Sequence, residues 1–156
     1  MELPNRKSPR LSGFDYATHA CYFITICTHK KQNLFGNPYD LNAFGKIAEH
    51  DLLQISMHFP GVAIEKYVIM PNHIHALISL GLSETERSRP FPTLSAIVGL
   101  YKSGVSKSIH RFSPDLAIWQ KSFYDHIIRG KKDYDEIWTY IDNNPKQWEL
   151  DEFYIQ

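Results

Sequence analysis

The middle of the chain reads Met70-Pro71-Asn72-His73-Ile74-His75-Ala76-Leu77-Ile78, which predicts a tight turn followed by a β-strand. Side chains alternate between the two faces of a strand, so His73, His75 and Leu77 are expected on one face. Two histidines spaced in this way on a rigid strand can bind one divalent ion. Because such a pair is more often an ordinary surface or core feature, the rest of the sequence has to supply the context.

The pattern on both sides of this strand predicts an α+β domain. A strand over 62–69 precedes the turn and pairs antiparallel with the histidine strand over 73–80. The other predicted elements are a central strand over 21–28, a helix over 41–58, a loop over 81–92, a helix from Leu94 to Val105, a strand over 123–129 and a last helix with Asp133 as its cap and Pro145 after its end. The order β-α-β-β-α-β-α favours a small antiparallel sheet with helices packed on one face.

Length and composition favour one domain over residues 1–156. The chain has 156 residues and is 43% hydrophobic, enough for one core. Cys21 and Cys27 fall in the same predicted strand and on the same face, so they cannot pair with each other, and a reducing cytoplasm is expected. The sequence contains no apolar run of eighteen residues and no apolar signal-peptide core, so we expect a cytoplasmic protein with no membrane segment.

The neutral total charge hides an uneven distribution. Residues 133–156 carry a net charge of −6 and residues 1–132 a net charge of +6. This asymmetry has two interpretations, a nucleic-acid partner or ordinary solvated charge. Residues 1–13 form a basic N-terminal arm, and the candidate phosphate contacts are Arg6, Lys7 and Arg10 in the arm, with Lys102, Lys107 and Arg129 in the body.

The last predicted helix adds a tyrosine and an amide. Tyr140 and Asn144 are four residues apart and share a face, while Ile137 and Ile141 form the face that packs. Without the histidines, Tyr140 would be interpreted as a surface tyrosine and Asn144 as a helix cap. With them, the set fits a phosphoryl-transfer site in which a divalent ion polarises the phosphate and the tyrosine oxygen attacks it.

Several blocks of the sequence resemble the single-tyrosine HUH transposases, and among these the REP-associated tyrosine transposases. The blocks occur in the family's order and span nearly the whole chain. They are Arg6-Lys7-Ser8-Pro9-Arg10-Leu11, Gly13-Phe14-Asp15-Tyr16, Tyr22-Phe23-Ile24-Thr25-Ile26-Cys27-Thr28, Val68-Ile69-Met70-Pro71-Asn72-His73-Ile74-His75, Ile97-Val98-Gly99-Leu100-Tyr101-Lys102-Ser103, Trp119-Gln120, Phe123-Tyr124-Asp125-His126-Ile127-Ile128-Arg129 and Tyr140-Ile141-Asp142-Asn143-Asn144-Pro145.

The resemblance implies a role for each candidate site residue. It makes His73 and His75 metal ligands, Asn144 the third ligand and Tyr140 the nucleophile, with Mg²⁺ or Mn²⁺ as the cofactor. Such proteins have a ferredoxin-like or RNA-recognition-like sheet and act as monomers or homodimers. They cut single-stranded DNA next to hairpins, keep a 5′-phosphotyrosine link and release a 3′-hydroxyl. His126 lies in a recurring block of the family and is interpreted equally as strand packing and as a site residue.

Two other functions remain open from the sequence. The chain fits a non-catalytic module that binds single-stranded or hairpin nucleic acid on its sheet. It also fits a hydrolase that uses only the histidine pair and a metal-activated water, but no carboxylate lies in the segment 72–76 to support this chemistry. Loss of the tyrosine hydroxyl distinguishes the transposase-like function, which alone needs it, and DNA cutting without the hydroxyl distinguishes the hydrolase from the binding module.

Overall fold

A computed structural model describes residues 19–81 and 92–155. The predicted basic arm, with Arg6, Lys7 and Arg10, lies outside the described residues, as does most of the predicted loop over 81–92. The described elements are β1 (His19–Cys27), β2 (Gly36–Asn37), β3 (Asp40–Leu41), α1 (Ala43–Leu53), α2 (Ile55–His58), β4 (Val62–Ile69), β5 (His73–Gly81), α3 (Leu94–His110), β6 (Tyr124–Ile127) and α4 (Lys131–Asn143), with 3₁₀ turns at His29–Lys31 and Pro145–Leu150.

Four strands form the main sheet in the order β4-β5-β1-β6, and every neighbouring pair is antiparallel. The turn at 70–72 joins β4 to β5 as an antiparallel hairpin, in which the Met70 N–H donates to the His73 carbonyl oxygen at 2.8 Å. β2 and β3 make a separate two-stranded hairpin before α1. The predicted α+β class and antiparallel sheet are therefore confirmed.

The larger core lies between one face of the sheet and the helices α1 and α3. Ile24 and Ile26 of β1 and Ile78 of β5 face Leu52 of α1 and Ile97 of α3, and all five side chains are buried. Alternation along β1 and β5 sends these residues to a single face, which the apolar stripes of the two helices cover. This half of the molecule has the predicted arrangement of helices on one face.

The helix α4 packs on the opposite face of the sheet, the face that carries the histidines. Phe23 and Leu77 project from this face and contact Ile137 and Ile141 of α4 in a second, smaller core. All four side chains are 0 to 1% exposed, and their removal from water stabilises the packing of α4 on this face. The prediction that all helices pack on one face therefore holds for α1 and α3, while α4 completes a three-layer arrangement.

The start of α4 differs from the prediction. The helix begins at Lys131 with Gly130 as its N-terminal cap residue, and the predicted cap at Asp133 is wrong. Gly130 has a φ of 140°, a backbone conformation that only glycine adopts easily, so the chain can turn into the helix before Asp133. The Asp133 carboxylate instead accepts a hydrogen bond from the Arg129 backbone N–H at 3.1 Å, inside the first turn.

Within residues 19–81 and 92–155, no helix is both long enough and apolar enough to cross a membrane.

Candidate metal and tyrosine site

His73 and His75 lie side by side at the start of β5, and both side chains are completely buried. Their ring centroids are 4.6 Å apart. In each ring Nδ1 has a hydrogen-bond partner, the Asn72 side-chain oxygen at 2.8 Å for His73 and the Thr25 hydroxyl at 2.9 Å for His75. In each ring Nε2 is buried without a hydrogen-bond partner in the described part of the chain.

The neighbours of Asn72 fix the proton position on His73. The Asn72 side-chain NH₂ donates to the backbone carbonyl oxygens of Phe153 at 2.5 Å and Lys31 at 3.2 Å, so the amide oxygen is the atom that faces His73. An amide oxygen only accepts hydrogen bonds, and Nδ1 of His73 therefore carries the proton. In the neutral ring this leaves a lone pair on Nε2, the form that binds a metal ion.

Burial keeps both histidines neutral. It lowers the pKa of His73, against the attraction of the Asp151 carboxylate, which acts in the opposite direction. Burial also lowers the pKa of His75, to well below its usual range, and the neighbouring His73 adds to the effect. Two neutral imidazoles are consequently available to a cation at neutral pH without the loss of a proton.

Helix α4 brings Tyr140 and Asn144 to the histidine pair. The Tyr140 ring centroid lies 5.3 Å from that of His75 and 6.0 Å from that of Phe23. Asn144, one turn later, has its side-chain oxygen buried without a hydrogen-bond partner among the residues that the structure describes. The packing of Ile137 and Ile141 on the sheet explains this placement, because the next helical positions on the same side are 140 and 144.

The surroundings of Tyr140 favour the protonated form of its phenol. Burial raises the pKa of the phenol, and the carboxylates of Asp151 and Glu152 raise it further, while the nearby Asn144 side chain acts in the opposite direction. The phenol is therefore protonated at neutral pH, and a nearby positive charge would favour the phenolate.

Asp151 belongs to this site and was missed by the sequence reasoning. One ligand atom from each of His73, His75 and Asp151 lies within 4.8 Å of the others, so this group could hold a metal ion. An Asp151 carboxylate oxygen is 3.9 Å from Nε2 of His73. The only sequence signal was the acidic charge of segment 133–156, because the path of the chain after α4 determines which acid reaches the histidines.

The donor atoms fit a divalent cation. Two imidazole nitrogens and an amide oxygen are buried without hydrogen-bond partners among the described residues, and a carboxylate lies beside them. A buried polar atom without a partner is energetically costly unless a ligand or ion satisfies it. Nitrogen and oxygen donors of this kind suit Mn²⁺, and the oxygen donors suit Mg²⁺.

The other predicted site residues lie apart from this cluster. Nε2 of His126 donates a hydrogen bond to the Asp133 carboxylate at 2.7 Å, which connects β6 to the first turn of α4. The Lys102 ammonium group donates to the carbonyl oxygens of Gln120 at 2.8 Å and Ser122 at 2.9 Å, a structural role that the sequence did not indicate. Lys107 and Arg129 have exposed side chains.

Comparison with known sequences gives one informative relative. No protein-family model matches the chain. A protein of Haemophilus influenzae Rd, described as an uncharacterized protein, is 36% identical over 171 aligned positions, which cover 98% of this chain and 95% of the relative. The chain belongs to the same family as this protein.

Two solved structures share the fold. A structure described as the REP-associated tyrosine transposase bound to a REP hairpin superposes with a TM-score of 0.59 and 20% identity, and the match covers 90% of this chain and 73% of that one. A protein of Deinococcus radiodurans R1, provisionally described as a transposase, gives a TM-score of 0.55 and 15% identity over 87% of this chain and 97% of that one. At these identities the likeness concerns the fold.

Proposed function

We propose that this member of the family is a metal-dependent single-stranded DNA endonuclease and strand transferase that cuts DNA near hairpins through Tyr140. The observation that carries the proposal is the convergence of the Tyr140 ring with three buried atoms that lack partners in the described residues, Nε2 of His73, Nε2 of His75 and the Asn144 side-chain oxygen. The fold shared with a transposase bound to a DNA hairpin supports it.

In the proposed reaction Tyr140 supplies the nucleophile. Its phenolic oxygen forms a bond to the scissile phosphorus, the bond from phosphorus to the 3′ oxygen breaks, and the DNA 5′ end remains attached to the tyrosine as a phosphodiester. The phenol gives its proton to water, and the leaving 3′ oxygen takes up a proton from water and departs as a hydroxyl. The phosphotyrosine linkage is itself a phosphodiester, so its hydrolysis free energy is retained. The oxygen of a second 3′-hydroxyl can therefore attack the same phosphorus, release the tyrosine and rejoin the strand.

The proposed metal ligands are His73, His75 and Asn144. Mg²⁺ or Mn²⁺ bound there would polarise the scissile phosphate and favour the phenolate by its positive charge. The protein's own contribution is orientation, since Asn72 and Thr25 hold the imidazole rings and the α4 core holds Tyr140 against His75.

The proposed DNA contacts are exposed cationic side chains. Lys107 and Arg129 are exposed and can bind phosphate groups, and the arm residues Arg6, Lys7 and Arg10 are proposed to do the same. Lys102 is a weaker candidate than the sequence suggested because its ammonium group already donates to two carbonyl oxygens.

The test uses circular single-stranded DNA that carries a hairpin, with Mn²⁺ or with a chelator. Wild type, Tyr140→Phe and Tyr134→Phe are compared on a denaturing gel that detects protein covalently attached to DNA. Tyr134 is a matched control, because it lies on the same helix and its hydroxyl donates a hydrogen bond to the Glu65 carboxylate at 3.2 Å. We expect an adduct with wild type and Tyr134→Phe in Mn²⁺, and none with Tyr140→Phe or with chelator.

Other outcomes identify the alternatives. Metal-dependent nicking by Tyr140→Phe without an adduct would show a hydrolase that activates water. Retained binding of hairpin DNA with neither nicking nor adduct in any variant, over a panel of hairpin sequences, would show a binding module without chemistry.

A further inference from the structure

An Asp151 carboxylate oxygen lies within 4.8 Å of a ligand atom of each of His73 and His75. The Asp151 side chain is 3% exposed, and both of its oxygen atoms accept hydrogen bonds from the chain itself. One oxygen accepts from the Asn144 side-chain NH₂ at 2.9 Å, and the other accepts from the Phe153 backbone N–H at 2.8 Å. A buried carboxylate that is bonded on both oxygens has a fixed orientation.

This carboxylate determines which end of the Asn144 amide faces the histidines. An ionised carboxylate only accepts hydrogen bonds, so the amide must turn its NH₂ toward Asp151. The amide oxygen then points away from Asp151, where it is buried without a partner among the described residues. If the amide were reversed, two oxygen atoms would face each other in a buried position, at a high cost in free energy.

The same short segment supports the other side of the site. Two residues after Asp151, the Phe153 carbonyl oxygen accepts a hydrogen bond from the Asn72 side-chain NH₂. Asn72 in turn accepts from Nδ1 of His73. Through these hydrogen bonds, residues 151–153 orient two side-chain amides. One is that of Asn72, which contacts His73, and the other is that of Asn144.

We infer that Asp151 is a positioning residue of the metal centre and acts through the Asn144 amide. The inference rests on the proposed function, because it takes His73, His75 and Asn144 as the ligands. Asp151 is close enough to be considered a ligand itself, at 3.9 Å from Nε2 of His73. The occupation of both its oxygens by internal donors, while the Asn144 oxygen has none, supports the positioning role.

The test is a double-mutant cycle on Mn²⁺ affinity, measured by isothermal titration calorimetry on the full chain without DNA. Asp151→Asn preserves the shape but has a single oxygen, so it cannot accept from both Asn144 and Phe153. We expect Asp151→Asn and Asn144→Ala each to weaken Mn²⁺ binding by about 10-fold or more, the usual effect of losing a partner behind a ligand. In the Asn144→Ala background, Asp151→Asn should change the affinity by less than about 2-fold.

Two results would overturn the inference. Equal weakening by Asp151→Asn in both backgrounds would mean that Asp151 binds the ion or acts through its charge. An unchanged affinity in the wild-type background would mean that it has no role in the centre. Glu152→Gln, which removes one negative charge at the next residue on an exposed side chain, is the matched control and should bind Mn²⁺ as wild type does.

Thermal unfolding without metal verifies that each variant is folded. If Asp151→Asn does not fold, Asp151→Glu keeps the charge and displaces the oxygens, and the same cycle applies to it. A variant with both His73→Ala and His75→Ala separates the two proposals. If it binds Mn²⁺ as wild type does, the metal centre of the proposed function is wrong; if it loses binding while the cycle is additive, only the role of Asp151 is wrong.

Discussion

Nδ1 of His75 lies 2.9 Å from the hydroxyl oxygen of Thr25, its direct cross-strand neighbour in the pairing of β5 with β1. Both side chains are completely buried. A metal-binding Nε2 requires the proton on Nδ1, and the hydroxyl oxygen is placed to accept a hydrogen bond from that Nδ1–H group. The pairing of β5 with β1 thus orients the His75 ring through Thr25, as Asn72 orients the His73 ring.

Replacement of Thr25 by valine tests this support. Thr25→Val keeps the shape of the side chain but leaves Nδ1 of His75 without a partner, so the ring loses its fixed tautomer. We expect Mn²⁺ affinity to fall by about 10-fold in calorimetric titration. Thr139→Val, at an exposed position of α4, is the control and should bind as wild type does. Equal affinity of the two variants would contradict the orienting role of Thr25.

The stability of the metal-free protein should fall in acid because His73 and His75 are buried as neutral groups. Their pKa values in the folded state are lowered by burial, so between the unfolded value near ~6.5 and the folded values the unfolded chain binds more protons. The free energy of unfolding therefore decreases as the pH drops below ~6.5, by about 1 kcal/mol per histidine at about pH 5.5. Urea unfolding at neutral and acid pH measures this.

The acid effect has its own control. A variant in which both His73 and His75 are replaced by glutamine should lose less stability between the two pH values than wild type does, whatever its absolute stability. An identical pH dependence would show that other groups cause the acid effect.

Truncation of Ile137 should loosen α4 on the sheet. Ile137 is 1% exposed and packs with Phe23 and Leu77 under the helix that carries Tyr140. We expect Ile137→Ala to lower the free energy of unfolding by about 2 to 4 kcal/mol, the usual cost of such a cavity. Leu150→Ala, at a side chain that is 87% exposed, should change it by less than about 0.5 kcal/mol. A small effect of Ile137→Ala in urea titration would mean that α4 is only loosely docked.

Two lysines of α3 should respond differently to the same substitution. Lys102→Met removes a donor to the carbonyl oxygens of Gln120 and Ser122 and should lower stability by about 1 kcal/mol. Lys107→Met should leave stability unchanged, weaken single-stranded DNA binding and reduce the slope of log affinity against log salt by about 0.7. Salt titrations followed by fluorescence anisotropy measure the slope. A reduced slope for Lys102→Met at unchanged stability would contradict its structural role and indicate that Lys102 binds phosphate.

Local sequence patterns were sufficient to predict the structure and the chemistry of the central hairpin. Alternation along β5 was sufficient to predict that His73 and His75 share a face, and helical spacing predicted that Ile137 and Ile141 pack and that Tyr140 and Asn144 share a face. The bounds of β4 were also predicted correctly, because a strand between a Pro-Gly turn and a Met-Pro-Asn turn has clear ends. These features depend on periods of two and 3.6 residues, which neighbours in sequence are enough to reveal.

The surroundings of the two histidines, in contrast, depend on long-range packing. It placed α4 on the face opposite α1 and α3, because Phe23 and Leu77 need an apolar cover. It also brought Asp151 to Asn144, and Phe153 to Asn72, over sequence separations of 7 and 81 residues. Contacts of this kind depend on the path of the chain after α4, and composition or periodicity carries no information on that path. The orientation of each candidate metal ligand is therefore a property of the folded chain, although the ligand types are evident in the sequence.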